Sequence, residues 1–455
     1  VARLFGTDGI RGIAGQYPLD ARTIVACGSA VVRVLGRPLR VLIGRDTRES
    51  GPWIERLVAA GVRAAGGDVV SAGVFTTPGI AMLVRAHAEL GAGIVISASH
   101  NPYRDNGIKI FSADGMKLDD ADEEAIERAI EDIRGEEASP EWSPPEGASL
   151  PTADEERFAT EYLRFLRERG MGGQERPLAG WRVGFDGAHG AAYRLGPRLF
   201  EELGARVEAI GVAPDGRNIN RDCGSLYPEA LRRLVRERGC DIGLAVDGDA
   251  DRVVFVTRTA EVLDGDDVLY ILATYLQERG RLRGNVVVGT EMTNFGLEQA
   301  LARRGIALVR TKVGDRYVLE QLLRRGASLG GEPSGHIIVP ELAPVGDGLL
   351  TALLLLNVMR ETGRDATELR AGFSRSPQCV LNVRVREKPP LETIPGLSSA
   401  VAEARERLRG RGRVLVRYSG TEPVARVMVE ADAEEMAREI AEALAEIIRR
   451  HLGAT

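Results

Sequence analysis

Three stretches of the chain repeat one pattern: "RVLIGRDTRESGPWIERLVAAGVRAAGGDVV" from Arg40, "WRVGFDGAHGAAYRLGPRLFEELGARV" from Trp181 and "NVVVGTEMTNFGLEQALARRGIALV" from Asn285. Each reads as a short apolar strand, a glycine-containing loop that bears an acid, a helix, a glycine stop and a second apolar strand. Ile54, Leu57, Val58 and Gly61, and again Leu195, Leu199, Phe200 and Leu203, fall at the spacing of a buried helical stripe. Gly66, Gly204 and Gly305 stand where such helices end. Continuous apolar strands in a strand, helix, strand order pair in parallel through right-handed crossovers, because a right-twisted strand returns to its sheet only that way. The expectation is three related α/β domains with mixed or parallel sheets.

The pattern then changes. In "CVLNVRV", Cys379, Leu381, Val383 and Val385 alternate with Val380, Asn382 and Arg384, and "RVLVRYSGTEPVARVMVE" adds two strands around a turn. Period-two alternation next to helical stretches predicts a C-terminal α+β domain, an antiparallel sheet with helices on one face. A chain of 455 residues exceeds what one core organises. The expected domains are 1–150, 151–256, 257–371 and 372–455, with the acidic, proline-rich stretch Pro140 to Glu156 as the first linker.

A net charge of -6 argues against nucleic acid as a partner, since phosphate backbones are bound through clustered surplus Lys and Arg. The apolar run Leu349 to Met359 falls short of the roughly 20 residues a bilayer requires, so no membrane partner is expected. The opening "VARLFGTDGIRG" lacks a basic start followed by an apolar core, which makes the cytoplasm the expected compartment. Cys27, Cys223, Cys240 and Cys379 form no C-x-x-C pair and suggest neither zinc nor redox chemistry. Lysine occurs only at Lys109, Lys117, Lys312 and Lys388, in a chain otherwise committed to arginine. A retained lysine supplies a titratable amine that arginine cannot.

Several stretches can carry chemistry. In "GLAVDGDADR" a strand runs into Asp247, Asp249 and Asp251, whose mutual repulsion calls for a cation, and hard oxygen donors favour magnesium. A calcium EF-hand loop is excluded, because Arg252 and Arg258 occupy its glycine and glutamate positions. Asp247 could instead be an aspartyl-phosphate nucleophile. In "RYSGTEPVAR", Arg417 and Arg426 flank a Ser419-Gly420-Thr421 turn that can converge on a tetrahedral anion. "GGEPSGHII" presents Glu332, Ser334 and His336 on a loop stiffened by Pro333, suited to sugar hydroxyls. "TKVGDRYV" offers Lys312, Asp315 and Arg316 as a further anion contact. Finally, "GIVISASHNP" ends a strand in Ser97, Ser99 and His100, with Lys109 following. No G-x-S-x-G elbow supports a hydrolase triad, whereas a serine with basic neighbours can accept a phosphoryl group. Both serines are expected on one side of the strand, and spacing does not choose between them.

"LFGTDGIRG", "ISASHNPYRDNGIKIF", "DGDADR", "GEPSGH" and "RYSGTEPVAR", in that order along nearly the whole chain, resemble the α-D-phosphohexomutase superfamily. "FGTDGIRG", "SASHNP" and "TKVGDRYVLE" are most similar to its branch acting on glucosamine phosphates, on the route to UDP-N-acetylglucosamine. Ala250 and Pro333 depart from the commonest letters, Gly and Gln. The resemblance implies four domains around a central active-site cleft, with Ser99 phosphorylated and its phosphate binding one magnesium ion with Asp247, Asp249 and Asp251. It implies that Glu332 and Ser334 hold sugar hydroxyls, and that Arg417, Ser419, Gly420, Thr421 and Arg426 hold the unreacting phosphate. Arg11, His100, Lys109 and Arg252 would line the same centre, and Asp8 lies in a matching loop without an assigned role.

The expected activity is an isomerase interconverting glucosamine 6-phosphate and glucosamine 1-phosphate through a phosphoserine and a 1,6-bisphosphate, which could also serve as activator. Lys109 is preferred to His100 as the acid/base. Mannose or glucose phosphates are the alternative substrates, and a sugar-phosphate binder without catalysis is the alternative class. The chain is expected to be a monomer or homodimer.

Overall fold

The computed structural model describes residues 4–6, 8–36, 39–136, 154–419 and 422–453. Most of the proposed linker, residues 140–153, lies outside them, as do Gly420 and Thr421. The chain divides into two compact units, one of Val1–Thr290 with Thr311–Arg370, the other of Glu291–Arg310 with Ala371–Thr455.

In the larger unit the first repeat folds as read. Strands Arg40–Arg45 and Asp68–Val74 pair in parallel across the helix Gly51–Ala64. Ala92–Ile96 joins them in parallel, and Asp105–Ser112 and then Gly9–Ile13 continue the sheet antiparallel. Ala92–Ile96 is buried throughout because it has sheet neighbours on both sides and helices on both faces. On one face, helices Ala21–Leu35 and Gly51–Ala64 cross at Gly28 and Gly61. A Cβ on Gly61 would lie 2.1 Å from the Val25 carbonyl oxygen, so both glycines are required by the close approach.

The second repeat gives the parallel pair Arg182–Asp186 and Arg206–Ile210 around the helix Leu195–Glu202. Ile242–Val246 runs parallel to the first of these and delivers the acidic loop at its end, before Val253–Thr257 returns antiparallel. Gly66 and Gly204 take positive φ just past their helices, the left-handed conformation that ends a helix without a Cβ clash. The third sheet of this unit pairs Val286–Thr290 with Gly330–Gly331 in parallel and the latter with Ile337–Ile338 antiparallel. That short hairpin bends the chain at Glu332 to His336. The apolar run from Leu349 lies in the buried helix Gly348–Thr362, and no helix of the described residues is long and apolar enough to cross a membrane.

The smaller unit contains an antiparallel sheet in the order Gln378–Arg384, Val424–Glu430, Arg413–Tyr418. Val383 and Val385 enter its core with Ile440, Leu444 and Ile448 of the helix Glu434–Leu452, while Val380, Asn382 and Arg384 face solvent. The two-residue period is thus the division between core and water.

Candidate active site

Ser97 and Ser99 both lie beyond the strand end at Ile96, which corrects the expectation that they share one side of the strand. The chain turns there, and the turn gives the serines different tasks. Ser97 donates to Asp46 Oδ2 at 2.6 Å and accepts from the Ser99 backbone N–H at 2.9 Å, so it builds the loop. Ser99 has φ +52°, a left-handed conformation that costs a non-glycine residue about 1–2 kcal/mol. That conformation is held by its carbonyl oxygen, which accepts from Arg48 at 3.2 Å and Asn220 Nδ2 at 2.9 Å. The same two side chains donate to the Asn101 carbonyl. Arg48 is fully buried and paired with Asp46. Sequence reasoning passed over Asp46, Arg48 and Asn220; the acid in the loop after the first repeated strand was their one signal.

So held, the Ser99 hydroxyl donates to Asp247 Oδ2 at 2.5 Å. Asp247, Asp249 and Asp251 are all buried at the end of Ile242–Val246, with one oxygen from each within 4.8 Å of the others. Gly248 lets this loop reach the serine, since a Cβ there would lie 2.5 Å from the Ser99 carbonyl oxygen. Ala250 occupies a positive-φ position and accepts from Gly348 N at 2.9 Å, which ties the loop to the helix Gly348–Thr362. Thr77 donates to Asp249 Oδ2 at 2.5 Å. Burial and then the charges of Asp251 and Asp249 push the Asp247 carboxyl well above the usual range. Asp249 Oδ1 and Asp251 Oδ1 are buried without a hydrogen-bond partner. Orphaned carboxylate oxygens in an all-oxygen set are costly unless a cation meets them, so these residues fit a hard divalent metal.

Lys109 extends from the strand Asp105–Ser112 to Asp249 Oδ2 at 2.8 Å, Asp8 Oδ2 at 3.0 Å and Asp251 Oδ2 at 3.7 Å. Burial alone would lower its pKa, but Asp249, Asp8 and Asp251 outweigh it and raise the amine above its ordinary value. Lys109, expected as the acid/base, thus sits among three carboxylates beside the acidic loop. His100 behaves oppositely: burial and the charges of Arg252 and Arg11 pull its pKa down to about 4. Arg252 stands 3.0 Å from His100 Nδ1. Because arginine only donates, Nδ1 accepts and the neutral ring carries its proton on Nε2. Arg11 pairs with Asp8 and reaches the Ala98 carbonyl at 3.4 Å.

Asp8 has a partner that the sequence did not suggest. Lys117 donates to Asp8 Oδ1 and to Asp315 Oδ2, both at 2.6 Å. His336 is buried between Asp251 and Asp315, at 3.7 Å from each. Glu332 accepts from Gly314 N at 3.1 Å, and Ser334 Oγ is buried without a partner. Two further residues expected to contact an anion have protein neighbours of their own. Arg316 pairs with Asp120 at 2.9 Å and Glu123 at 3.5 Å, and Lys312 lies 5.9 Å from the centre of the Tyr317 ring.

In the smaller unit, Arg417 and Arg426 are direct partners across antiparallel strands and so share a face. Two like charges in that position are unfavourable unless something negative meets them. Arg426 donates to Glu422 at 2.9 Å, and its Nε has no hydrogen-bond partner. Ser419 Oγ accepts from Glu422 N, and its carbonyl accepts from Lys388 at 2.7 Å, a lysine given no role by the sequence.

A serine hydroxyl presented in strained backbone to three carboxylates, with guanidinium and ammonium groups around them, is the equipment of a metal-assisted phosphoryl-transfer enzyme. The chain belongs to the phosphoglucomutase/phosphomannomutase family. Its α/β/α domains I, II and III match residues 2–137, 160–260 and 264–375, and its C-terminal domain matches 380–447. A phosphoglucosamine mutase of Solibacter usitatus is 46% identical over 453 residues, 99% of each chain. One from Moorella thermoacetica is 49% identical over 442 residues, 96% of this chain and 97% of that one. The fold is also that of a phosphoglucomutase/phosphomannomutase family protein from Burkholderia thailandensis, with TM-score 0.78 and 23% identity across 99% of both chains.

Proposed function

We propose that this chain is an isomerase that interconverts glucosamine 6-phosphate and glucosamine 1-phosphate, with Ser99 as phosphoryl carrier. The observation that carries the reading is the Ser99 hydroxyl 2.5 Å from Asp247 in a turn built to present it. The choice of amino sugar rests on full-length relatives named phosphoglucosamine mutase at 46% and 49% identity.

Phosphoserine 99 loses its phosphoryl group to the free hydroxyl of the sugar monophosphate: the P–O bond to Ser99 Oγ breaks and one to the sugar oxygen forms. The sugar hydroxyl gives up its proton as this happens. The resulting 1,6-bisphosphate turns over and returns its other phosphoryl group to Ser99: the P–O bond to that sugar oxygen breaks, the bond to Ser99 Oγ re-forms, and the freed sugar oxygen takes up the proton released in the first step. Lys109 and His100 are the two groups assigned to the sugar proton, and Arg11 and Arg252 are suited to holding phosphoryl oxygens. Asp247, Asp249 and Asp251 would hold magnesium, which when bound supplies positive charge beside the phosphoryl oxygens. Glu332, Ser334 and His336 are assigned to the sugar, and the side-by-side Arg417 and Arg426, with Ser419, to its second phosphate. Four cysteines without disulfides fit the reducing cytoplasm.

The test is kcat/KM on glucosamine, mannose and glucose 6-phosphates. The reading requires the amino sugar to lead; preference for mannose or glucose would leave the chemistry and move the substrate.

A further inference from the structure

Six buried or half-buried side chains close a ring in which acidic and basic residues alternate. Asp8 meets Lys109 at 3.0 Å, Lys109 meets Asp251 at 3.7 Å, and Asp251 meets His336 at 3.7 Å. From there His336 meets Asp315 at 3.7 Å, Asp315 meets Lys117 at 2.6 Å, and Lys117 returns to Asp8 at 2.6 Å. Lys117 is the member farthest from Ser99 in this sequence of contacts, and it touches none of the three aspartates of the acidic loop among its ion pairs.

We infer that Lys117 is a positioning residue, the closing link that fixes the Asp8 loop and the Asp315 turn so that Arg11, Lys109 and His336 meet the substrate in register; this rests on the mutase reading. Three observations support it. First, Lys117 is presented rigidly. The strand bearing Lys109 turns at Gly115, Ser112 N donates to Met116 O at 2.9 Å, and Lys117 bridges back to Phe111. One hairpin thus supplies both lysines, and Asp8 is gripped by one on each carboxylate oxygen. Second, Asp315 opens the helix Asp315–Arg325 directly after Gly314, whose N–H holds Glu332. Lys117 therefore anchors the same turn that steadies the sugar-facing carboxylate. Third, loss of the ammonium leaves Asp8 and Asp315 facing one another with a shared cation removed. Their repulsion would be relieved by moving the loops they belong to.

The experiment uses the full chain with magnesium and glucosamine 6-phosphate, with kcat, KM and melting temperature measured for wild type, Lys117→Met, Lys117→Arg and Asp315→Asn. A displacement of catalytic groups by an ångström lowers turnover by about tenfold to a hundredfold. Lys117→Met and Asp315→Asn are expected to lose kcat on that scale with KM within about twofold, and Lys117→Arg to recover most of it. Asp315→Asn keeps the side-chain shape and serves if Lys117→Met does not fold. Wild-type kcat in either neutral variant overturns the inference, as does loss in Lys117→Arg as complete as in Lys117→Met. A wild type inactive on glucosamine, mannose and glucose 6-phosphates alike, each with its 1,6-bisphosphate present, refutes the mutase reading itself, a result distinct from both.

Discussion

The Ser99 hydroxyl donates to Asp247 Oδ2 at 2.5 Å across 148 residues of sequence. Two separate α/β sheets each end a strand at this point, one in a strained serine and the other in an acidic loop. Phosphoryl transfer requires a nucleophile and a charge-neutralising centre together, and the ends of these two strands provide them.

Replacing Ser99 separates chemistry from folding. Both Ser99→Ala and Ser99→Gly are expected to lower kcat by on the order of 10³-fold or more, since neither can carry phosphate. In urea unfolding the glycine variant should be the more stable by about 1 kcal/mol, because glycine takes φ +52° without strain. Equal stability of the two would mean the turn is not strained.

Arg48 holds the carbonyls of Ser99 and Asn101 from a fully buried position beside Asp46. Arg48→Met leaves the Asp46 charge unpaired and should cost about 3–5 kcal/mol in urea unfolding. Adding Asp46→Asn removes the orphaned charge and should recover part of that loss. Additive losses in the double variant would show that the two do not act as a pair.

Gly248 lies against the Ser99 carbonyl. Gly248→Ala must push the acidic loop and the serine turn apart, so kcat should fall about 10²-fold, as expected for a misplacement of about 1 Å. Turnover close to wild type in steady-state kinetics would contradict the contact.

The acidic cluster has a predictable pH signature. Asp247 has a raised pKa in the folded chain, so its share of stability is complete below about pH 4, its unfolded value, and is lost as pH rises through the elevated one. A bound divalent cation replaces that proton, and its binding strengthens as the carboxyl ionises. The rise in melting temperature on adding magnesium to chelator-treated protein should therefore grow as the pH is raised from about 4. It should vanish in Asp249→Ala; a gain independent of pH or of Asp249 would place the metal elsewhere.

Much of this site could be read locally, because its parts are local: a strand end with Ser99, three acids spaced by small residues, a glycine loop with Glu332 and His336. The repeats gave the α/β architecture for the same reason, through apolar runs and helix-ending glycines. Spacing did not choose between Ser97 and Ser99, a choice made only by the family resemblance, since the left-handed turn at Ser99 has supports, Arg48 and Asn220, far off in sequence. Asp8 and Lys117 were each visible but had no role, because they meet across 109 residues and Asp315 lies 198 residues beyond Lys117. Lys109 shows a further limit. Its identity suggested a titrating amine, and the carboxylates of Asp8, Asp249 and Asp251 that fold around it come from loops far off in sequence.

The most direct measurement is mass spectrometry of the full-length protein after incubation with a hexosamine 1,6-bisphosphate, followed by addition of glucosamine 6-phosphate. The account predicts one phosphoryl group, on Ser99, stable to hydroxylamine and discharged when the sugar monophosphate arrives. Phosphate on Ser97, a hydroxylamine-labile phosphate on Asp247, or sustained turnover by Ser99→Ala would contradict it.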